Sequence, residues 1–319
     1  MLIQFAILIA GLLLILFGAN YLVDGSSSIA KRFGLSEFVI GLTIVGIGTS
    51  TPEMVVSFLS AIQGKADMAI GNVVGSNIFN TLLILGASAA VYPLAISRNA
   101  LRKDLPINIG VTILLIFLGL NFTIFGIGNS DTINRIDGII LLLIFVWYLW
   151  SSFKNDSADE DGQEGIKTYS PGISVVFILA GLAALIFGGR LFVNAATEIA
   201  KGFGMSEKFI AITIMAAGTS MPELATSVVA AFKKKGQLAL GNVIGSNISN
   251  ILLILGGSAL INPLSFSGMN IVDLGVLLGC TIFLLLSAIT FKKKQIDRIE
   301  GIILLLGMAA YMWYLISNL

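Results

Sequence analysis

Two short stretches of this 319-residue chain carry its chemistry: GTSTPE, Gly48 to Glu53, and GTSMPE, Gly218 to Glu223. Each lies inside a long apolar segment that otherwise reads as a membrane span. A carboxylate at that depth is costly unless it is compensated, so an intramembrane glutamate points to function. Thr49 and Glu53 are spaced i, i+4, and Ser50 and Glu53 i, i+3, so all three share one helical face. Thr219, Ser220 and Glu223 repeat the arrangement. Pro52 and Pro222 have no N–H, which frees the carbonyls of Gly48 and Gly218 from helical pairing. In a bilayer such a carbonyl needs another partner, and a coordinated cation is one. In the next apolar segments Ser76 and Asn80, and Ser246 and Asn250, are again i, i+4. Brought together, these residues offer carboxylates, hydroxyls, amide oxygens and carbonyls, which is an all-oxygen site for a hard cation of the calcium or sodium kind. No Cys or His joins the set, which disfavours softer transition metals.

The elements that must position these groups come in two copies. GLLLILFGANYLVDG at residue 11 aligns with GLAALIFGGRLFVNA at 181, FGLSEFVIGLTI at 33 with FGMSEKFIAITI at 203, and GNVVGSNIFNTLLILG at 71 with GNVIGSNISNILLILG at 241. Together with the two hexapeptides they share one offset of 170, and RIDGIILLL at 135 pairs with RIEGIILLL at 298. Hydropathy marks about ten spans: 2–23, 37–62, 67–93, 105–125, 135–153, 171–195, 206–232, 237–261, 269–290 and 298–317. The fold class expected is an all-α polytopic membrane protein with ten transmembrane helices in two inverted five-helix repeats. Residues 1–152 form the first repeat, 153–170 an acidic linker, and 171–319 the second repeat. An odd number of spans per repeat forces tandem copies into opposite orientations, an architecture of secondary transporters.

Most of the 19 lysines and arginines fall in loops after odd-numbered spans, among them Arg98, Arg102 and Lys103, Lys233 to Lys235, and Lys292 to Lys294. The positive-inside rule puts those loops and the linker in the cytoplasm and both termini outside, with the chain in the cell membrane. The apolar N-terminus lacks a basic region and reads as a first span. The composition, 56% hydrophobic and 12% charged with a mean hydropathy of +0.95, fits a membrane protein. A net charge of +1 gives no case for nucleic acid, and the absence of histidine removes His ligation and His acid–base chemistry. The lone Cys280 reads as packing. Glu53 and Glu223 read as the carboxylates deep in the hydrocarbon, with Asp24, Asp67, Asp104, Asp137, Asp273, Asp297 and Glu300 near span ends. Gly71, Gly75, Gly241 and Gly245 are expected to pack the second span on the third and the seventh on the eighth. Asn72, Asn77, Asn242 and Asn247 lie off the Ser76/Asn80 face and are read as helix–helix hydrogen-bonding groups rather than ligands.

At these residues the sequence resembles the cation/calcium antiporter superfamily, and within it the sodium/calcium exchangers. GTSTPE…GNVVGSNIFN and GTSMPE…GNVIGSNISN are similar to that family's paired alpha-repeats, and the likeness spans essentially the whole chain. The resemblance implies a secondary active antiporter that is not an enzyme, needs no cofactor, and exchanges sodium for calcium by alternating access. Glu53 and Glu223 would be the shared central ligands, with Thr49, Ser50, Thr219 and Ser220 contributing oxygens. Ser76 and Ser246 would ligate sodium, Gly46 and Ala216 would offer carbonyls, and Asn80 and Asn250 would complete the site. Spans 1 and 6 would slide across the rest, and their Gly-bearing apolar segments read as suited to low-friction movement. Beyond the two ions and the lipid bilayer, no obligatory protein partner is implied.

One departure matters. Exchangers of this kind usually carry an aspartate where this chain has Asn250, so the resemblance implies potassium-independent transport. Two glutamates balance one calcium or two sodium ions, and a third sodium would leave the site positive in a low dielectric. Either a weak third sodium site or a stoichiometry below three to one follows. A proton/calcium antiporter of the same superfamily is the nearest rival, although its relatives usually place a carboxylate in the second segment, where this chain has GNVVGSN and GNVIGSN. An intramembrane enzyme fits poorly, since the site lacks a nucleophile–base pair. A passive channel would need a continuous polar lining.

Overall fold

The computed structural model describes residues 2–126, 130–154, 156, 168–205, 214, 216–266, 268–290 and 294–318. Most of the expected linker, and the start of the expected seventh span, lie outside the described residues. The helices are α1 (Leu2–Phe33), α2 (Glu37–Thr49), α3 (Thr51–Ile62), α4 (Ala66–Val91), α5 (Leu105–Gly119), α6 (Asn121–Phe125), α7 (Arg135–Lys154), α8 (Pro171–Gly202), α9 (Ala216–Thr219), α10 (Met221–Phe232), α11 (Gly236–Ile261), α12 (Ile271–Thr290) and α13 (Arg298–Ser317). Among the described residues seven are long and apolar enough to cross a membrane, and eight if α2 and α3, bent by 47°, count as one broken span. The chain is thus a mostly helical, multi-pass membrane protein. Of the other two expected spans, α5 starts against the charged Arg102, Lys103 and Asp104, and α10 has 12 residues.

Local chemistry sets the helix ends. Ser36 caps α2 by accepting from the N–H of Val39, Ser170 caps α8, and Asp297 with Glu300 forms a capping box at α13. The short loops after α3 and α10 turn through left-handed residues, Gly64 in one and Lys234 in the other.

α1 and α8 run 32 residues each, roughly 48 Å, well past the expected ends at 23 and 195. The polar run Ser26–Ser28 stays helical because it is buried, and Ser174 of α8 donates to the Ser28 hydroxyl at 2.8 Å. The two helices cross antiparallel with small residues in register: Gly11 against Gly188, Gly18 against Gly181, Gly25 against Ser174. A methyl at Gly18 would stand 2.8 Å from the Gly181 carbonyl. These glycines therefore knit α1 to α8. Backbone approaches this close are what small residues permit in membranes.

The glycines of the second segment also pack differently from expectation. Side chains at Gly241 and Gly245 of α11 would overlap the carbonyls of Phe38 and Leu42 in α2. They press the eighth span onto the second, across the two halves, not onto the seventh. No described atom lies within 4 Å of where a side chain would begin at Gly71 or Gly75.

Two antiparallel two-residue bridges tie the halves. β1 (Leu94–Ala95) pairs with β4 (Gln295–Ile296), and β2 (Thr132–Ile133) with β3 (Leu264–Ser265). By the sequence repeat β3 corresponds to β1 and β4 to β2, so each bridge joins a strand to the counterpart of its own half's other strand. Two pairs of close glycines obey the same reciprocity, Gly86 with Gly301 and Gly138 with Gly256. Asp104 and Glu300, read as lying near span ends, are buried as well; Asp104 accepts from the Tyr148 hydroxyl and Glu300 from the N–H of Asp297.

Candidate cation site

The helix breaks at Ser50 (ψ 9°) and again at Ser220 (ψ 7°), and Pro52 and Pro222 take the second position of the helices that follow. Proline is tolerated there because its missing N–H would be unpaired in any case. The break puts Glu53 and Glu223 in the first turns of α3 and α10, where the helix dipole favours negative charge. Both are only 1% exposed. The carbonyl of Gly48, read as freed for an ion, is instead taken by the Thr51 hydroxyl at 2.7 Å. Met221 stands at the equivalent place and brings no hydroxyl to Gly218.

The two hexapeptides complete one another. Ser50 donates to Glu223 Oε1 at 2.9 Å, and Ser220 donates to Glu53 Oε1 at 3.2 Å. Ser76 donates to Glu53 Oε1 at 3.4 Å, whereas Ser246 turns to the carbonyl of Gly46 at 3.1 Å. That carbonyl also accepts from the Ser50 N–H at 3.2 Å. The Thr49 hydroxyl lies 3.0 Å from the Val45 carbonyl and 3.1 Å from Asn242 Oδ1. Thr219 closes the short α9, which Ala216 opens. The structure thus gathers these groups into two hydrogen-bonded sets, Glu53 with Ser220 and Ser76, and Glu223 with Ser50, whose N–H shares the Gly46 carbonyl with Ser246, with Thr49 at the edge.

Asn80 and Asn250 each begin a wider, π-helical turn, Asn80–Ile84 and Asn250–Leu255, a distortion frequent at functional sites. Their amide nitrogens donate across the halves, Asn80 to Asn247 Oδ1 at 3.1 Å and Asn250 to Asn77 Oδ1 at 2.9 Å. Their oxygens are left over. Glu53 Oε2, Glu223 Oε2, Asn80 Oδ1 and Asn250 Oδ1 are all buried and accept no hydrogen bond from the described residues. Buried acceptors are nearly always paired, so two symmetry-related pairs of bare oxygens need a partner of another kind. Among the other unpartnered buried atoms, the hydroxyls of Ser88 and Ser258 bring no charge, and Glu37 Oε1 lies 3.3 Å from the Lys235 ammonium.

A supporting layer holds the carboxylates. Asn72 bridges the Glu53 carbonyl (3.1 Å) and the Ser57 hydroxyl (2.9 Å), and Asn242 bridges the Glu223 carbonyl (3.3 Å) and Ser227 (2.8 Å). The reading of these asparagines as helix-joining groups is what the geometry has. Ser57 and Ser227 went unnoticed in the sequence, although they occupy one repeat position, four residues after each glutamate.

Comparison with known proteins agrees. The sodium/calcium exchanger protein family model matches residues 3–154 and 173–317. This chain belongs to the sodium/calcium exchanger family. Among similar proteins are "Putative antiporter CaxA" of Alkalimonas amylolytica, 36% identical with all of both chains covered, and "Sodium/calcium exchanger MaX1" of Methanosarcina acetivorans, 32% identical over 97% of each. A solved structure of the sodium-calcium exchanger NCX_Mj superposes with a TM-score of 0.83 at 33% identity, covering 98% of this chain and 99% of that one. The exchanger described here is therefore a cation/calcium antiporter of the cation/calcium antiporter superfamily, a transporter and not an enzyme.

Proposed function

We propose that this antiporter moves calcium against sodium, independently of potassium, by alternating access at the Glu53–Glu223 site. The observation that carries the reading is the set of four bare buried oxygens, Glu53 Oε2, Glu223 Oε2, Asn80 Oδ1 and Asn250 Oδ1. They supply two negative charges and two neutral dipoles, the donor chemistry of a hard cation. Ser50, Ser220, Thr49, Thr219, Ser76 and Ser246 add hydroxyl oxygens, and Gly46 and Ala216 backbone carbonyls. Two carboxylates match one calcium or two sodium ions, so fewer than three sodium ions exchange per calcium.

Ten spans in two inverted repeats carry the site at their pseudo-two-fold axis, with both termini outside and the 153–170 linker in the cytoplasm. The reciprocal pairing of β1 with β4 and β2 with β3 supports that symmetry. The α1–α8 pair, bound together through its glycines, is the body that moves. Proton-coupled exchange is the competing reading, and the segments GNVVGSN and GNVIGSN leave it without the carboxylate its relatives usually carry there.

The test is calcium-45 uptake into proteoliposomes with the pH gradient collapsed. An outward sodium gradient should drive uptake in the parent chain, and Glu53→Gln should abolish it. Sodium-driven uptake retained in Glu53→Gln would overturn the site; uptake that follows only a pH gradient would establish proton coupling.

A further inference from the structure

A terminal carboxamide can turn by 180° about its last bond and exchange its oxygen for its NH2 group. The two ends have nearly the same shape, so hydrogen-bond partners decide which way it points. At a cation site the difference is absolute: one orientation presents a lone pair, the other presents two positively polarised hydrogens. Asn80 and Asn250 face this choice, and an aspartate in their place would not.

We infer that Asn77 and Asn247 are positioning residues that fix the polarity of the two amide ligands, each acting on the ligand of the opposite half. The inference rests on the site reading above. Asn77 donates its Nδ2 to the backbone carbonyl of Asn247 at 3.1 Å. Its Oδ1 is thereby aimed at Asn250, whose Nδ2 it receives at 2.9 Å. Asn247 donates its Nδ2 to the Thr81 hydroxyl at 2.9 Å, and its Oδ1 receives the Nδ2 of Asn80 at 3.1 Å. The Thr81 hydroxyl in turn donates to the Asn77 carbonyl at 3.0 Å, which leaves it only as an acceptor toward Asn247. Every link has one sense. Reversing Asn250 would set its oxygen against the oxygen of Asn77, and reversing Asn80 would do the same at Asn247. All four amides are buried, so water cannot compensate the mismatch. The lattice therefore leaves Asn80 Oδ1 and Asn250 Oδ1 bare and outward from it, as the structure has them.

The consequence is specific to a site built from amides. A carboxylate at 250 has an oxygen at either end and needs no such guide. The experiment is a double-mutant cycle on the full chain in detergent, reading equilibrium calcium-45 binding. Asn77→Ala should weaken calcium binding by about 10- to 100-fold, the usual cost of losing a group that orients a ligand. In the Asn250→Asp background the same Asn77→Ala change should cost less than about twofold, because nothing remains to be oriented. Equal losses in both backgrounds, or no loss in the parent, would overturn the inference. Should Asn77→Ala fail to fold, the symmetric cycle of Asn247→Ala against Asn80→Asp decides by the same criterion. Glu53→Gln in the same assay keeps the two readings apart. If it binds calcium like the parent, the site itself is wrong; if it does not bind and Asn77→Ala does so normally, only the positioning role falls.

Discussion

Ser50 and Glu223 stand 173 residues apart in the chain, yet the serine hydroxyl donates to the carboxylate at 2.9 Å. The reverse pair, Ser220 to Glu53, closes at 3.2 Å. Neither hexapeptide holds its own glutamate; each supplies the hydroxyl that holds the other's. Ser50→Ala and Ser220→Ala should therefore have similar effects. A hydrogen bond to a charged group contributes roughly 1.5–3 kcal/mol. Each substitution should weaken calcium binding about tenfold or more, measured by calcium-45 binding, and a large effect from one with none from the other would break the reciprocity.

On the proposed reading, charge sets how many sodium ions the site holds. Asn250→Asp should raise the number exchanged per calcium by one. At two sodium per calcium the parent is insensitive to membrane potential, and the variant should acquire voltage dependence. Reversal potentials in proteoliposomes measure this, and three sodium per calcium in the parent would refute the charge argument.

Asp24 on α1 and Lys233 after α10 form an ion pair at 2.7 Å, and Lys233 also donates to the Asn20 carbonyl. The repeat puts Asn194 and Gln63 at the equivalent places, so the other half has no charges with which to copy the contact. Lys233 lies on the face assigned to the cytoplasm. The pair should bias α1 toward the state closed on that face. Asp24→Asn or Lys233→Gln should raise apparent calcium affinity on that face up to about fivefold, the equivalent of about 1 kcal/mol for a partly buried pair. Exchanging the two charges should restore the parent value. Uptake assays on inside-out and right-side-out vesicles give the two faces separately.

Gly245→Ala drives a methyl into the Leu42 carbonyl at the junction of α11 and α2. It should lower the thermal midpoint in detergent sharply, by several kcal/mol in stability terms. Gly279→Ala in α12 has open space around it and should be neutral, or stabilising by up to about 1 kcal/mol through helix propensity. Equal thermal shifts for the two would contradict the packing described here.

The glutamates, the flanking hydroxyls and the duplication were legible in the sequence because polar residues in an apolar run have few structural reasons to exist. What escaped depended on distance and direction. The Gly48 carbonyl went to Thr51, a competition between a neighbouring hydroxyl and an ion that spacing does not resolve. Gly241 and Gly245 announced a close approach but not the partner, which is α2 from the other half. Ser26, Ser27 and Ser28 looked like the end of a span, yet they are buried inside a longer helix. The sense of the Asn77–Asn250 and Asn247–Asn80 bonds has no counterpart in a list of residue types.

The swapped strand bridges bear on synthesis and descent. Leu94 leaves the ribosome roughly two hundred residues before Ile296, the partner that completes its bridge. The first half must wait in the membrane with that edge open and Glu53 without the Ser220 hydroxyl. A single half, made as a separate chain, would find both needs met in a second copy of itself, which carries the counterpart edge and the counterpart hydroxyl. The present chain holds both copies in one polypeptide, and they differ at places such as Thr51 and Met221, or Asp24 and Asn194.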